Sequence, residues 1–237
     1  MTPAESSREA RALCQMAPII PVLVVEDVAH ARPLAEALVE GGLPVLEVTL
    51  RTEAALAAIA EMAKVEGGVV GAGTLITAQD VAAAVKAGAR FGVSPGATDA
   101  LLTATEAADL PMLPGAATAS EAMRLLARGY DMLKFFPAES AGGAGMLKSL
   151  GGPLPQISFC PTGGISPSNA LSYLSLPNVV CAGGSWVAPA ALVKAGDWRA
   201  ITELAREAAA LGKPSGSLSK IGKRGAGPQV RDLRHCK

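Results

Sequence analysis

Short apolar runs alternate with longer amphipathic ones along most of this chain. Runs at 18–25, 43–50, 68–73, 89–94, 110–114, 130–136, 156–162 and 178–183 are apolar and bounded by glycine, proline or polar residues, the pattern of β-strands. Between them, apolar positions recur at helical spacing. In 28–41, for example, Val28, Ala31, Leu34, Ala35 and Leu38 fall on one face. Similar stretches occupy 52–65, 77–87, 98–108, 118–128 and 166–175, with 197–211 after the last strand and an extra helix predicted at 5–15. Eight β/α alternations predict a parallel sheet, and eight is the number that closes a barrel. A doubly wound open sheet competes. Against it, the first strand-to-helix turn (Glu26, Asp27) lacks a glycine-rich dinucleotide fingerprint. No linker divides the pattern, so the expectation is a single-domain (β/α)8 TIM barrel over 1–212, with a separate tail over 213–237.

In such a barrel, function sits at the C-terminal ends of the strands. Here those ends read "EVTLRT", "GAGT", "SPG", "LPGAAT", "KFFPAE", "CPTGG" and "AGGS". Side chains alternate along a strand, so Val45, Glu47, Thr49 and Arg51 share one face and Leu46, Val48 and Leu50 the other. The leucine and valine face packs under helices, which turns Glu47, Thr49 and Arg51 into the barrel or its mouth. The same parity groups Met132, Lys134 and Phe136 opposite Leu133 and Phe135. Glu47 and Lys134 are thereby expected to converge inside the barrel. A purely structural ion pair and a reactive pair both fit that placement; the first brings little net stability, because desolvation offsets the attraction. The second brings an amine that burial can strip of its proton, a nucleophile for a ketone.

Composition narrows the chemistry. The zero net charge of the 237 residues is a cancellation: residues 1–212 hold 14 Lys+Arg against 20 Asp+Glu (−6), and 213–237 hold 7 against 1 (+6). An acidic body argues against nucleic acid as the main partner. The basic, Gly/Ser-rich tail has no apolar period and is expected to be disordered. No uncharged apolar run reaches the roughly 18 residues of a membrane helix, and the charged start "MTPAESSREARALC" is unlike a signal peptide, so a soluble, cytoplasmic protein without membrane partners is expected. Cys14, Cys160, Cys181 and Cys236 form no CxxC pair, and Cys160 and Cys181 read as buried thiols that behave as small hydrophobes. With only His30 and His235 besides, no zinc site is expected. A divalent cation is one electron sink for breaking a carbon–carbon bond; a lysine imine is the other, and the missing histidines favour the lysine. Glycine pairs after the last two strands, "PTGGIS" and "AGGSW", stand where barrels of this type bind phosphate. Arg51 for a carboxylate, Lys134 for a ketone and these loops for a phosphate together outline a phosphorylated keto acid.

The segments "GLPVLEVTLR" (Gly42 to Arg51) and "GYDMLKFFPAESAG" (Gly129 to Gly142) resemble the two signatures of the 2-keto-3-deoxy-6-phosphogluconate/4-hydroxy-2-oxoglutarate aldolase family. "GAGT", "VSPG" and "FCPTGGISPSN" through "GGSW" resemble it as well, over about residues 16–212. The resemblance implies a class I aldolase of the Entner–Doudoroff pathway, a homotrimer that needs no cofactor or metal. By that resemblance Lys134 forms the Schiff base and Glu47 moves protons. Arg51 and Thr74 hold the pyruvate carboxylate beside the backbone of Pro95, Thr162 reads a substrate hydroxyl, and Gly163, Gly164, Gly184 and Ser185 hold the phosphate. The basic tail has no counterpart there. Cleavage of the galactonate-derived epimer or of 4-hydroxy-2-oxoglutarate stays open. So, from the residues alone, do a sugar-phosphate isomerase or epimerase and a non-catalytic phosphate binder.

Overall fold

A computed structural model describes residues 1–212; the expected disordered tail lies outside the described residues. Nine parallel strand segments form the barrel wall: β1 (Ile19–Leu23), β2 (Val45–Thr49), β3 (Val69–Gly73), β4 (Gly92–Val93), β5 (Met112–Leu113), β6 (Gly115–Ala116), β7 (Met132–Phe135), β8 (Ser158–Pro161) and β9 (Ala182–Gly184). They pair as β5-β4-β3-β2-β1-β9 and as β6-β7-β8. Of the fifth strand predicted over 110–114, only Met112–Leu113 is strand (β5); past Pro114, whose nitrogen carries no hydrogen for the ladder, the wall continues as β6, beyond the predicted run. Parallel bridges Phe159↔Val179 and Thr162↔Gly183 join β8 to β9 and close the ring. The architecture is the expected (β/α)8 barrel.

The helices are α1 (Pro3–Cys14), α2 (Ala31–Glu40), α3 (Ala55–Met62), α4 (Ala78–Lys86), α5 (Asp99–Ala107), α6 (Ala119–Arg128), α7 (Gly143–Gly151), α8 (Ala170–Leu174), α9 (Ala190–Ala195) and α10 (Trp198–Ala210). Threonine caps set several starts. Thr77 and Thr118 form reciprocal capping boxes with Asp80 and Glu121, and Thr98 accepts from the Leu101 N–H. The turn predicted to open the helix at 28 is instead a 3-10 segment, Val28–His30, capped by Asp27. The pattern did not predict α7. Its "GAGMLKSLG" carries three glycines, and burial of Leu147 and Leu150 in the main core outweighs that deficit. α9 was missed too, because its six residues end at Gly196, in the left-handed conformation.

α1 closes the barrel floor. It begins with a capping box between Thr2 and Glu5, and buries Ser6, Ser7, Ala10 and Cys14 on one face against β5 and β7. The floor carries backbone N–H groups that the short strands leave unpaired. Ser6 Oγ accepts from the Met112 N–H at 2.8 Å, and Ser7 Oγ from the Asp131 N–H at 3.0 Å. Ser6→Ala strands a buried donor and is expected to lower stability by about 1–3 kcal/mol. A denaturant midpoint equal to the parent's would show that α1 is not what satisfies the floor.

Candidate active site

Two strands supply the charges. Leu46 and Val48 of β2 lie in the helix-facing core and Val45 in the inner one, so Glu47 and Thr49 turn inward with Val45. In β7, Leu133 and Phe135 face the helices and Met132 the interior, which turns Lys134 inward. Both charged residues are buried, at 3% exposure for Glu47 and 5% for Lys134. Lys134 Nζ donates to Glu47 Oε1 at 3.2 Å. The Phe136 ring centroid lies 5.2 Å from the same nitrogen. The expected convergence is observed. An apolar pair of like volume would hold the barrel about as well; what this pair adds is an amine beside a group that can take its proton.

The neighbours fix the carboxylate. Gly71 stands opposite Glu47 in the ladder, and a methyl group at Gly73 would overlap the Glu47 side chain. Gly73→Ala should therefore displace the carboxylate while the fold survives. Turnover is expected to fall on the order of 10²-fold, the effect of about 1 Å of misplacement. Unchanged kcat would mean that Glu47 needs no such seat. Thr74 follows at once with φ 63°, a left-handed conformation that costs a β-branched residue 1–3 kcal/mol. Strain of that kind, in the turn that leaves β3, marks a backbone held for a purpose.

The carbonyl of Pro95 lies against Gly115, the residue paired with Lys134 across β6 and β7. The Pro95 backbone is thus close to the lysine. Arg51 lies outside the buried interior. β2 ends at Thr49, the Arg51 N–H turns back onto the Thr49 carbonyl at 2.8 Å, and Arg51 is exposed beyond the strand. Strand parity does not apply to it, because the strand has ended.

Opposite lies a polar shelf. Thr162 is 6% exposed and its hydroxyl has no oxygen or nitrogen partner among the described residues, although a buried hydroxyl left so costs about 1–3 kcal/mol. Its bridge to Gly183 sets the loops after β8 and β9 side by side. Gly163 (φ 104°) and Gly164 (φ 77°) adopt a conformation open chiefly to glycine. The N–H groups of Gly163, Gly164 and Ser185 donate to no carbonyl among the described residues. Gly184 is buried against Trp186, and Ser185 is exposed. The next helices begin only at Ala170 and Ala190, so an anion here meets loop amides rather than a helix N-terminus.

The model of the KDPG and KHG aldolase family matches residues 10–204. The chain belongs to that family. It is 56% identical over 194 residues to the 2-dehydro-3-deoxy-phosphogluconate aldolase of Pseudoalteromonas atlantica, covering 81% of this chain and 90% of the relative. The crystal structure of the 2-keto-3-deoxy-6-phosphogluconate aldolase of Zymomonas mobilis with 3-phosphoglycerate superimposes with a TM-score of 0.83 at 49% identity, covering 88% of this chain and 98% of that one. The KDPG aldolase of Legionella pneumophila, with pyruvate captured as a covalent carbinolamine, gives 0.82 at 47% identity, over 84% and 97%.

Around this aldolase site the structure adds residues that sequence reasoning passed over. Glu139, in the turn after β7, accepts a hydrogen bond from the buried Tyr173 hydroxyl of α8, and its N–H donates to the Gly163 carbonyl at 3.1 Å. Burial, and then Glu139, push the Tyr173 hydroxyl well above its ordinary range. The pair props the Gly163–Gly164 loop. "KFFPAE" contained the signal for Glu139; nothing local announced Tyr173. Ser94, fully buried beside Pro95, has no hydrogen-bond partner for its hydroxyl among the described residues. Beneath Lys134, its β8 neighbour Cys160 meets Cys14 and Cys181, the three sulfurs within 4.8 Å of one another. Cys160 and Cys181 are buried as expected, and Cys14 is buried with them in a cluster that the sequence reading did not anticipate.

Proposed function

We propose that this chain is a class I aldolase, a carbon–carbon lyase that reversibly cleaves 2-keto-3-deoxy-6-phosphogluconate to pyruvate and glyceraldehyde 3-phosphate. The observation that carries the reading is the buried 3.2 Å contact between Lys134 and Glu47 at the barrel mouth. Lys134, as the free amine, adds to the C2 ketone to give a carbinolamine. Loss of water leaves a protonated imine. Glu47 takes the proton of the C4 hydroxyl, the C3–C4 bond breaks towards the imine, and the aldehyde departs. Reprotonation of the enamine at C3 and hydrolysis return pyruvate and the amine. Arg51 and Thr74 hold the carboxylate beside the Pro95 backbone, Thr162 reads a substrate hydroxyl, and Gly163, Gly164, Gly184 and Ser185 take the phosphate.

The unpaired loop amides and the orphan Thr162 hydroxyl support a phosphorylated, polyhydroxylated substrate. Residues 1–212 act as one catalytic domain. We take the assembly to be a cytoplasmic homotrimer, as the family resemblance implies; the exposed apolar side chains of Ile76 (63%) and Met123 (57%) are available for contacts between copies. Among the described residues no helix is long and apolar enough to cross a membrane. The test is a cleavage assay on the gluconate-derived acid, its galactonate epimer, 4-hydroxy-2-oxoglutarate and the unphosphorylated gluconate analogue. Pyruvate and glyceraldehyde 3-phosphate in equal amounts, with the highest kcat/KM for the first substrate, are expected. A higher value for the epimer or for hydroxy-oxoglutarate would reassign the substrate, and no pyruvate from any of them would refute the activity.

A further inference from the structure

The barrel floor holds a group of side chains for which the aldolase chemistry has no use. Cys14 ends α1, Cys160 lies within β8, and Cys181 precedes β9. Three elements far apart in sequence bring three buried thiols together, with every sulfur within 4.8 Å of the others. No other group of three or more His, Cys, Asp or Glu ligand atoms gathers in this way among the described residues. An ion bound about 2.3 Å from each of three sulfurs would set them about 4 Å apart, so the observed spacing needs a contraction of under 1 Å. We propose that Cys14, Cys160 and Cys181 form a trithiolate binding site for a soft, three-coordinate metal ion, and that the ion of matching chemistry is Cu(I).

Softness comes first. Thiolate sulfur selects Cu(I), zinc and iron–sulfur clusters over hard cations, which rules against magnesium and calcium. Coordination number then separates the soft ions. Closed zinc sites are almost always four-coordinate. Here the sulfurs share their core with Ala10, Ile20, Val45, Phe91, Val93 and Met132, and no imidazole or carboxylate joins them among the described residues. Three sulfurs in a largely apolar shell, with the Thr162 hydroxyl and the Lys134 ammonium beside Cys160, suit Cu(I), which is content with three ligands. A way in exists. A cleft of about 340 Å³ opens beside Cys14, and Met16, 49% exposed, lines it with a thioether that Cu(I) also accepts. Binding involves no change of oxidation state. Each Cu–thiolate bond forms as its S–H proton leaves to the buffer.

The test uses the full chain carrying Cys236→Ser, so that of the four cysteines only the three clustered ones remain. Reduced, metal-free protein is titrated anaerobically with Cu(I) against a chromophoric Cu(I) chelator. One Cu(I) retained per chain is expected, with X-ray absorption showing a shell of three sulfurs. Cys14→Ser and Cys181→Ser should each lose that bound equivalent, with circular dichroism confirming the parent's fold. The X-ray absorption measurement on the folded parent keeps the proposal falsifiable if either variant fails to fold. No retention against the chelator, a nitrogen or oxygen shell, or displacement of Cu(I) by equimolar Zn(II) would overturn it. These readouts involve no substrate, so they stand or fall separately from the aldolase reading.

Discussion

Lys134→Met is expected to lower kcat/KM for aldol cleavage by on the order of 10⁴-fold or more, the scale seen when a covalent nucleophile is removed. Methionine keeps the length of the side chain and fills the inner layer, so loss of the amine, not a cavity, is what the assay reads. The change also leaves Glu47 buried without its cation. Breaking a buried pair in that way costs about 3–5 kcal/mol, so the variant must be assayed where it is still folded. Lys134→Arg supplies the control. It restores a cation beside Glu47, but a guanidinium does not give up its proton and cannot become a nucleophile. Both variants should be inactive, and the arginine variant the more stable of the two. Activity within tenfold of the parent in either one would remove Lys134 from the reaction.

Glu47→Gln separates binding from proton transfer. The amide is nearly isosteric, still accepts a hydrogen bond from Lys134, and cannot exchange a proton. Turnover is expected to fall by roughly 10²–10⁴, the usual share of general acid–base catalysis. The imine should still form, because the amine that makes it remains. Kinetics combined with pyruvate trapping check both halves. A variant that turns over normally would deny Glu47 its role, and one that neither traps nor turns over would make Glu47 a partner in forming the imine itself.

The Glu47–Lys134 pair was legible because strands obey a period of two. A glutamate in "VLEVT" and a lysine in "DMLKFF" stand among apolar neighbours; parity turned the glutamate inward, the cost of a charge against the helices turned the lysine, and they meet at 3.2 Å. The same rule does not reach Arg51, since β2 ends two residues earlier in a tight turn. Pro114 read as the end of a strand, yet the wall resumes at Gly115–Ala116, and the glycines of α7 concealed a helix that tertiary packing imposes. The cysteine cluster was illegible for another reason. Its members come from α1, β8 and the approach to β9, with no shared spacing, and only closure of the barrel over its N-terminal helix unites them. The Tyr173 contact with Glu139 is likewise a product of folding, invisible in either segment.

The central claim is that Lys134 bonds covalently to the substrate ketone. The most direct measurement is reduction with borohydride in the presence of pyruvate, followed by peptide mass spectrometry. The account predicts a single pyruvyl-derived adduct per chain, on Lys134, with activity lost in proportion to labelling. No adduct, or an adduct on another lysine with Lys134 unmodified, would contradict it.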